Sequence, residues 1–248
     1  MHAFAEDETH ARPLRVEGLC VARREAGKAT GKGAGAPAAD ILNDVGFTLA
    51  PGETAVVTGP SGAGKTTLLH ALAGLLQPDG GTVAWGEEEI AGWSERRRDR
   101  WRRDTVGLVF QDFQLFPELG VIDNILLPLR FDRLRLPEGA RIRAEKLAAA
   151  VGLDGRTARA SALSRGEQQR VAVARALIGN PALILADEPT ASLDQETGTR
   201  VIDLLLTLAA EAHASVVMVS HDPALPDRVD RVFRLEAGRL SETTRALT

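Results

Sequence analysis

Residues 59–66 read Gly-Pro-Ser-Gly-Ala-Gly-Lys-Thr, a match to G-x-x-x-x-G-K-[ST] that leaves the chain few architectures to choose from. Glycines there let backbone N–H groups wrap phosphate oxygens, and a helix starting at the end of the loop adds more N–H groups and a partial positive charge. Lys65 then reaches the β- and γ-phosphates, and the Thr66 hydroxyl is a ligand for Mg²⁺. The flanks supply the context such a loop needs. An apolar strand, Ala55–Thr58, precedes it, and Leu68, Leu72, Leu75 and Leu76 follow at helical spacing. With only 4 Lys beside 26 Arg in the chain, a chance match comes to about 0.4%. The octet is a nucleotide site.

The 248 residues, 44% hydrophobic and 26% charged, are enough to build a sizeable core. No window approaches the roughly 18 apolar residues of a spanning helix. The start, MHAFAEDETHARP, is too polar and acidic for a secretory signal, and residues 1–13 read as a disordered tail. The lone Cys20 excludes an internal disulfide and a Cys-based zinc site, and fits a reducing compartment. A net charge of −4 argues against a generally basic nucleic-acid binder.

Leu14 to Cys20 and Ile41 to Leu49 alternate as half-buried antiparallel strands do. Between them Ala26 to Asp40 is Gly/Ala-rich and without apolar period, which predicts a flexible hairpin insertion. From residue 53 buried strands alternate with helices, implying a parallel sheet whose central strands are Ala55–Thr58, Leu183–Ala186 and Val216–Ser220. Residues 120–180 carry helical periodicity with breaks at Pro128, Pro137, Gly152 and Pro181, and read as a helical subdomain inserted into the α/β core.

Further motifs sit at strand ends. The apolar run Leu183–Ala186 leads into Asp187 and Glu188, and ligands bind beyond the carboxyl ends of such strands. Asp187 can hold Mg²⁺ and Glu188 can orient an attacking water, although an exposed strand end would also accommodate two acids. His221, after Val216–Val219, has two readings: a hydrogen bond to a γ-phosphate and the attacking water, or a surface His before a helix capped by Asp222 with Pro223 in its first turn. Ser164 and Glu167 fit the capping box S-x-x-E at the start of a helix. Residues 95–103 hold six Arg and two acids, which reads first as a solvated helix face and second as a site for anionic lipid. Trp85, Trp93 and Trp101 read as packing residues.

Taken in order, GPSGAGKTT, VFQD, LSRGEQQR, LILADEP, SLD and SHD resemble the ATP-binding cassette ATPase family over about residues 14 to 240. The resemblance implies an α/β P-loop NTPase with a RecA-like core, a small antiparallel β-subdomain and an inserted α-helical subdomain at about 115–180. It implies ATP and Mg²⁺ as ligands. Gly59, Pro60, Ser61, Gly62, Ala63, Gly64, Lys65, Thr66 and Thr67 would form the phosphate loop. Gln111 would sense Mg²⁺ and face a membrane partner. Ser164, Gly166 and Glu167 would belong to the signature that contacts the γ-phosphate on a second subunit. Asp187 would hold the metal, Glu188 would be the catalytic carboxylate, Asp194 the D-loop residue and His221 the switch histidine. The implied assembly is a head-to-tail homodimer with two composite sites, peripheral on the cytoplasmic face of a membrane and docked on a separate permease, with no nucleic-acid partner.

Within the family, VGLVFQDFQLFPELGVIDNILLPL and GEQQR with DEPTASLD are similar to the lipoprotein-releasing, macrolide-export and cell-division ATPases. Amino-acid importers, soluble non-transport cassettes and a regulatory subunit that closes without hydrolysis are the alternatives. Two departures stand out. The family usually stacks adenine on an aromatic residue, whereas this chain has no Tyr and offers Val21-Ala22-Arg23-Arg24 at that place, so an Arg plane would stack instead and discriminate bases less. The signature reads LSRGE rather than LSGGQ: Glu167 places a carboxylate near phosphate, and Arg165 either offsets it or obstructs dimer approach.

Overall fold

The computed structural model describes residues 10–23, 40–131, 135–155 and 157–243. In chain order the elements are β1 (Leu14–Val21), β2 (Leu42–Leu49), β3 (Thr54–Thr58), α1 (Lys65–Leu72), β4 (Gly80–Trp85), β5 (Glu88–Glu89), α2 (Glu95–Thr105), β6 (Val106–Val109), α3 (Val121–Arg130), α4 (Ala140–Ala150), α5 (Arg165–Leu177), β7 (Leu183–Asp187), α6 (Gln195–Glu211), β8 (Ser215–Val219), β9 (Arg231–Glu236) and β10 (Arg239–Thr243).

They build two sheets. The smaller is antiparallel, ordered β2-β1-β4-β5, and β1 turns Leu14, Val16, Leu19 and Val21 inward. That inward set survives an irregular register between Val16 and Leu19, where Gly18 takes φ 58°. The larger sheet is ordered β10-β9-β3-β8-β7-β6, with parallel pairing throughout except at β10–β9. Its central strands are covered on both faces and so read as unbroken apolar runs; all of β8 is buried. Val57 and Asp187 both pair with Val219, and Val109 pairs with Ala186. The carboxyl ends of β3, β8, β7 and β6 therefore reach one edge of the sheet.

Two apolar layers follow. One lies between the two sheets and includes Leu68 and Leu72 of α1; the other packs α3, α4, α5 and α6 on the opposite face of the parallel sheet. Trp85, Trp93 and Trp101 pack edge to face, with ring centroids 6.5 and 6.1 Å apart. On α2, Arg97 pairs with Glu88 and lies over the Trp93 ring, while Arg102 pairs with Asp99 and donates to the Ala73 carbonyl.

Several expectations need correction. Pro128 lies inside α3 and does not break it. A proline there forfeits the bond to the Asn124 carbonyl, but Val121, Ile125 and Leu126 are fully buried and their packing holds the turn. Among the described residues no α-helix follows His221: Asp222 Oδ1 accepts from the Ala224 N–H at 2.9 Å, and a 3₁₀ turn at Leu225–Asp227 stands where the helix was expected. Residues 10–13 are tied down, since Pro13 O accepts from the Gly86 N–H and Arg12 pairs with Glu88. Strand β10 runs to Thr243, past residue 240. Residues 1–9, 244–248 and the expected insertion apart from Asp40 lie outside the described residues.

Candidate functional site

The loop between β3 and α1 can approach phosphate closely because two glycines hold conformations closed to other residues. Gly59 has φ 143°, and a Cβ there would lie 2.0 Å from the Leu235 carbonyl oxygen. Gly64 has φ 101°, and its Cβ would lie 2.7 Å from the Ile41 carbonyl oxygen. Gly64 is also the N-cap of α1, so the first N–H groups of that helix open into the loop.

Lys65 is only 7% exposed. Its Nζ donates to the carbonyls of Gly59 (2.9 Å) and Pro60 (3.0 Å) and lies 3.1 Å from His221 Nε2. The same Nε2 is 3.0 Å from Glu188 Oε1. One ring nitrogen cannot serve both neighbours: it accepts from Lys65 when bare and donates to Glu188 when protonated. Residues 65, 188 and 221 thus form one chain of polar contacts, assembled because β3, β8 and β7 are neighbours in the sheet.

Glu188 has φ 45°, a left-handed conformation costly for a residue with a side chain, and its N–H donates to the Val219 carbonyl at 2.9 Å. Burial pushes its carboxyl above the ordinary value, with His221 and Lys65 acting in the opposite direction. Next to it, Asp187 Oδ1 is buried with no hydrogen-bond partner. A buried carboxylate oxygen left without a hydrogen-bond partner fits a hard divalent cation, and oxygen donors of this kind suit Mg²⁺. Among the described residues no cluster of three or more His, Cys, Asp and Glu could hold a metal, so such a cation would also need uncharged oxygen donors, phosphate oxygens or water.

A cleft of about 420 Å³ brings together Ser61, Gly62, Gly64, Lys65, Thr66, Thr67, Gln111, Glu188 and His221, and Arg23 and Ile41 also line it. Gly59 and Pro60 serve it through their carbonyls, and Ala63 packs against the core between the sheets. Ser164, Gly166 and Glu167 are elsewhere. They line a hollow with Arg165, Arg170 and Asp194, and Asp194 also lines a neighbouring cleft with Ser61, Gln111, Glu188 and His221. Ser164 and Glu167 form the expected capping box, the Glu167 carboxylate accepting from the Ser164 N–H at 2.9 Å. Asp194 caps α6, and the Thr197 N–H that it accepts holds its carboxyl below the ordinary value.

A family model described as ABC transporter matches residues 42–191, from β2 through the loop and both acids. The chain belongs to the ABC transporter family. It is an ATP-hydrolysing cassette of that family. The lipoprotein-releasing system ATP-binding protein LolD 2 of Rhodopirellula baltica is 43% identical over 205 residues, 80% of each chain. LolD of Pseudomonas syringae is 42% identical over 203 residues, covering 82% of this chain and 89% of its own. Among solved structures, the dimeric cassette MJ0796 in a post-hydrolysis state with ADP and Pi superposes with TM-score 0.80 at 31% identity, over 93% of this chain and 98% of that one.

Two residues of this cassette escape sequence reasoning. Arg175 on α5 is buried, and its guanidinium donates to the carbonyls of Phe113 (2.6 Å) and Gln114, both at positive φ. Burial lowers its pKa to about 10, so it stays charged at neutral pH. Asn124, fully buried in α3, accepts from the Phe116 N–H and donates to the carbonyls of Phe116, Leu119 and Gly120. Together they fix the segment after Gln111. A single basic residue on the buried side of the Val171–Leu177 run was the only signal of Arg175.

Proposed function

We propose that this cassette hydrolyses MgATP as a homodimer with two composite sites and drives a separately encoded permease of the lipoprotein-releasing type from the cytoplasmic face of a membrane. The separation of the Lys65 cleft from the Ser164 hollow carries this reading, because a second copy is needed to bring a signature surface over the phosphate loop. The dimeric relative solved with ADP and Pi supports it. No described helix is long and apolar enough to cross a membrane, which supports a partner that does.

In this scheme a triphosphate on residues 59–67 takes over the Lys65 ammonium from the Gly59 and Pro60 carbonyls. His221 is then released to the γ-phosphate, and Glu188 holds the attacking water in line. Thr66, Asp187 and Gln111 would hold Mg²⁺, which when bound offsets charge building on the phosphate oxygens. The amino terminus of α5, with Ser164 and Gly166, closes on the γ-phosphate of the other copy. The Glu167 carboxylate is already engaged by Ser164, so its charge is partly spent within its own chain. The exposed Phe116 lies in the Gln111–Glu118 segment that would face the permease.

Affinity purification from gently solubilised membranes tests this. A membrane-spanning chain with a large extracytoplasmic portion should come with the cassette. A multi-span permease together with a solute-binding protein would make it an importer, and recovery of only soluble protein or nucleic acid would overturn the transport reading.

A further inference from the structure

Phe113 is buried, at 6% exposed, yet it belongs to neither of the two apolar layers. Its N–H donates to the Phe110 carbonyl at 3.2 Å, which closes a turn with Gln111 and Asp112 at its centre. Phe113 has φ 56° and Gln114 φ 47°, both in the left-handed region. Two successive residues with side chains keep such a conformation only when their surroundings hold it. Arg175 holds their two carbonyls. The ring of Phe113 is held from the other end of α5, where the Arg165 guanidinium lies over it, 5.9 Å from the centroid.

Arg165 is the first residue of α5, directly after the N-cap Ser164. It is exposed, and among the described residues no hydrogen bond or ion pair engages its side chain. The negative face of the Phe113 ring is therefore what orients the guanidinium. A glycine, which the LSGGQ pattern has at this position, could not make the contact. The same arginine lines the hollow with Ser164 and Glu167, whereas Gln111 lines the Lys65 cleft with Thr66 and Glu188. A side chain outside the cleft thus reaches one inside it through a single ring and a strained turn.

We propose that Arg165 is a positioning residue for the nucleotide cleft of its own chain: by covering the Phe113 ring it holds the 110–113 turn closed and keeps Gln111 at the cleft. This rests on the reading of the Lys65 cleft as the nucleotide site.

On the homodimer reading Arg165 would also face a second copy, so the test is made on single copies. Equilibrium binding of the Mg²⁺ complex of β,γ-imido ATP is measured at a chain concentration where light scattering shows no dimer. Arg165→Gln, which keeps most of the length and removes the charge, should weaken binding about two- to fivefold. Arg165→Lys keeps a cation for the ring and should restore most of that loss. Gln111→Ala should weaken binding at least as much as Arg165→Gln, and combining the two should cost nothing more, because the arginine acts through Gln111. Phe113→Leu keeps apolar bulk without the aromatic face and should likewise leave Arg165→Gln nothing to remove; if thermal unfolding shows that this variant does not fold, the Gln111 pair decides. Unchanged binding in Arg165→Gln, a lysine variant as weak as the glutamine variant, or losses that add in the Gln111 pair would each overturn the proposal. Lys65→Ala separates the two levels: if it binds the analogue like the unaltered chain, the nucleotide-site reading has failed, whatever Arg165 does.

Discussion

On the proposed reading Glu188 carries two opposed demands, since water activation would want it ionised and its surroundings resist ionisation. Burial raises its pKa in the folded chain. A carboxyl raised in this way adds stability below its unfolded pKa and loses that contribution as pH rises through the folded value. Hydrolysis runs the other way: the ionised fraction falls as pH drops through the raised pKa, so the acid limb of the rate profile should lie above the pH of an ordinary Glu. Glu188→Gln should slow hydrolysis by about 10²- to 10⁴-fold. It should also flatten the dependence of thermal stability on pH in this range, because the amide has no charge to bury. Rate profiles and unfolding curves between mildly acidic and neutral pH check both. A Glu188→Gln protein with an unchanged acid limb would remove this carboxyl from the reaction.

On the scale of elements, α5 links the site to the rest of the fold, and it shows what sequence can and cannot tell. Its start was legible, because a capping box is a local contract between residues 164 and 167. The octet at 59–66 and the acids after β7 were legible for the same reason: each is a short motif at a strand end. The contacts of Arg175 and Asn124 were not, since both reach backbone carbonyls of a loop whose path depends on the finished fold. Strands β4, β9 and β10 also escaped. The first opens on two glycines, and the last two join through Ala237 and Gly238, both at positive φ, where an alanine gives no turn signal. Gly166 is a further case, because its reason lies on α6. Alanine normally favours a helix over glycine, but a Cβ here would sit 2.7 Å from Thr197 Cγ2. Gly166→Ala should therefore destabilise the chain by about 1 kcal/mol, and adding Thr197→Ser, which removes that methyl, should restore it. Urea unfolding of the single and double variants measures the difference, and a Gly166→Ala chain as stable as the parent would show that the helices adjust freely.

At the level of the whole molecule, the order β3-β8-β7-β6 decides which motifs share a cleft. Lys65, Glu188 and His221 are up to 156 residues apart, yet they meet because their strands end side by side. Ser164, Gly166 and Glu167 line a hollow whose described lining does not include Lys65. If two copies pair head to tail as proposed, with Lys65 of each meeting Ser164 of the other, a sharp expectation follows for mixed assemblies. A Lys65→Ala chain has an intact signature but no phosphate-binding ammonium, while a Ser164→Arg chain has the reverse; neither alone can complete a site. In a mixed dimer, Lys65 of the second chain faces Ser164 of the first, and one of the two sites is whole. Equal mixing makes half of the dimers mixed, so activity should recover to about a quarter of the unaltered rate. Titrating one inactive variant into the other and following phosphate release measures this. A mixture as inactive as its parents at every ratio would mean that each chain completes its site alone, and the separation of the two surfaces would then need a closure within one copy.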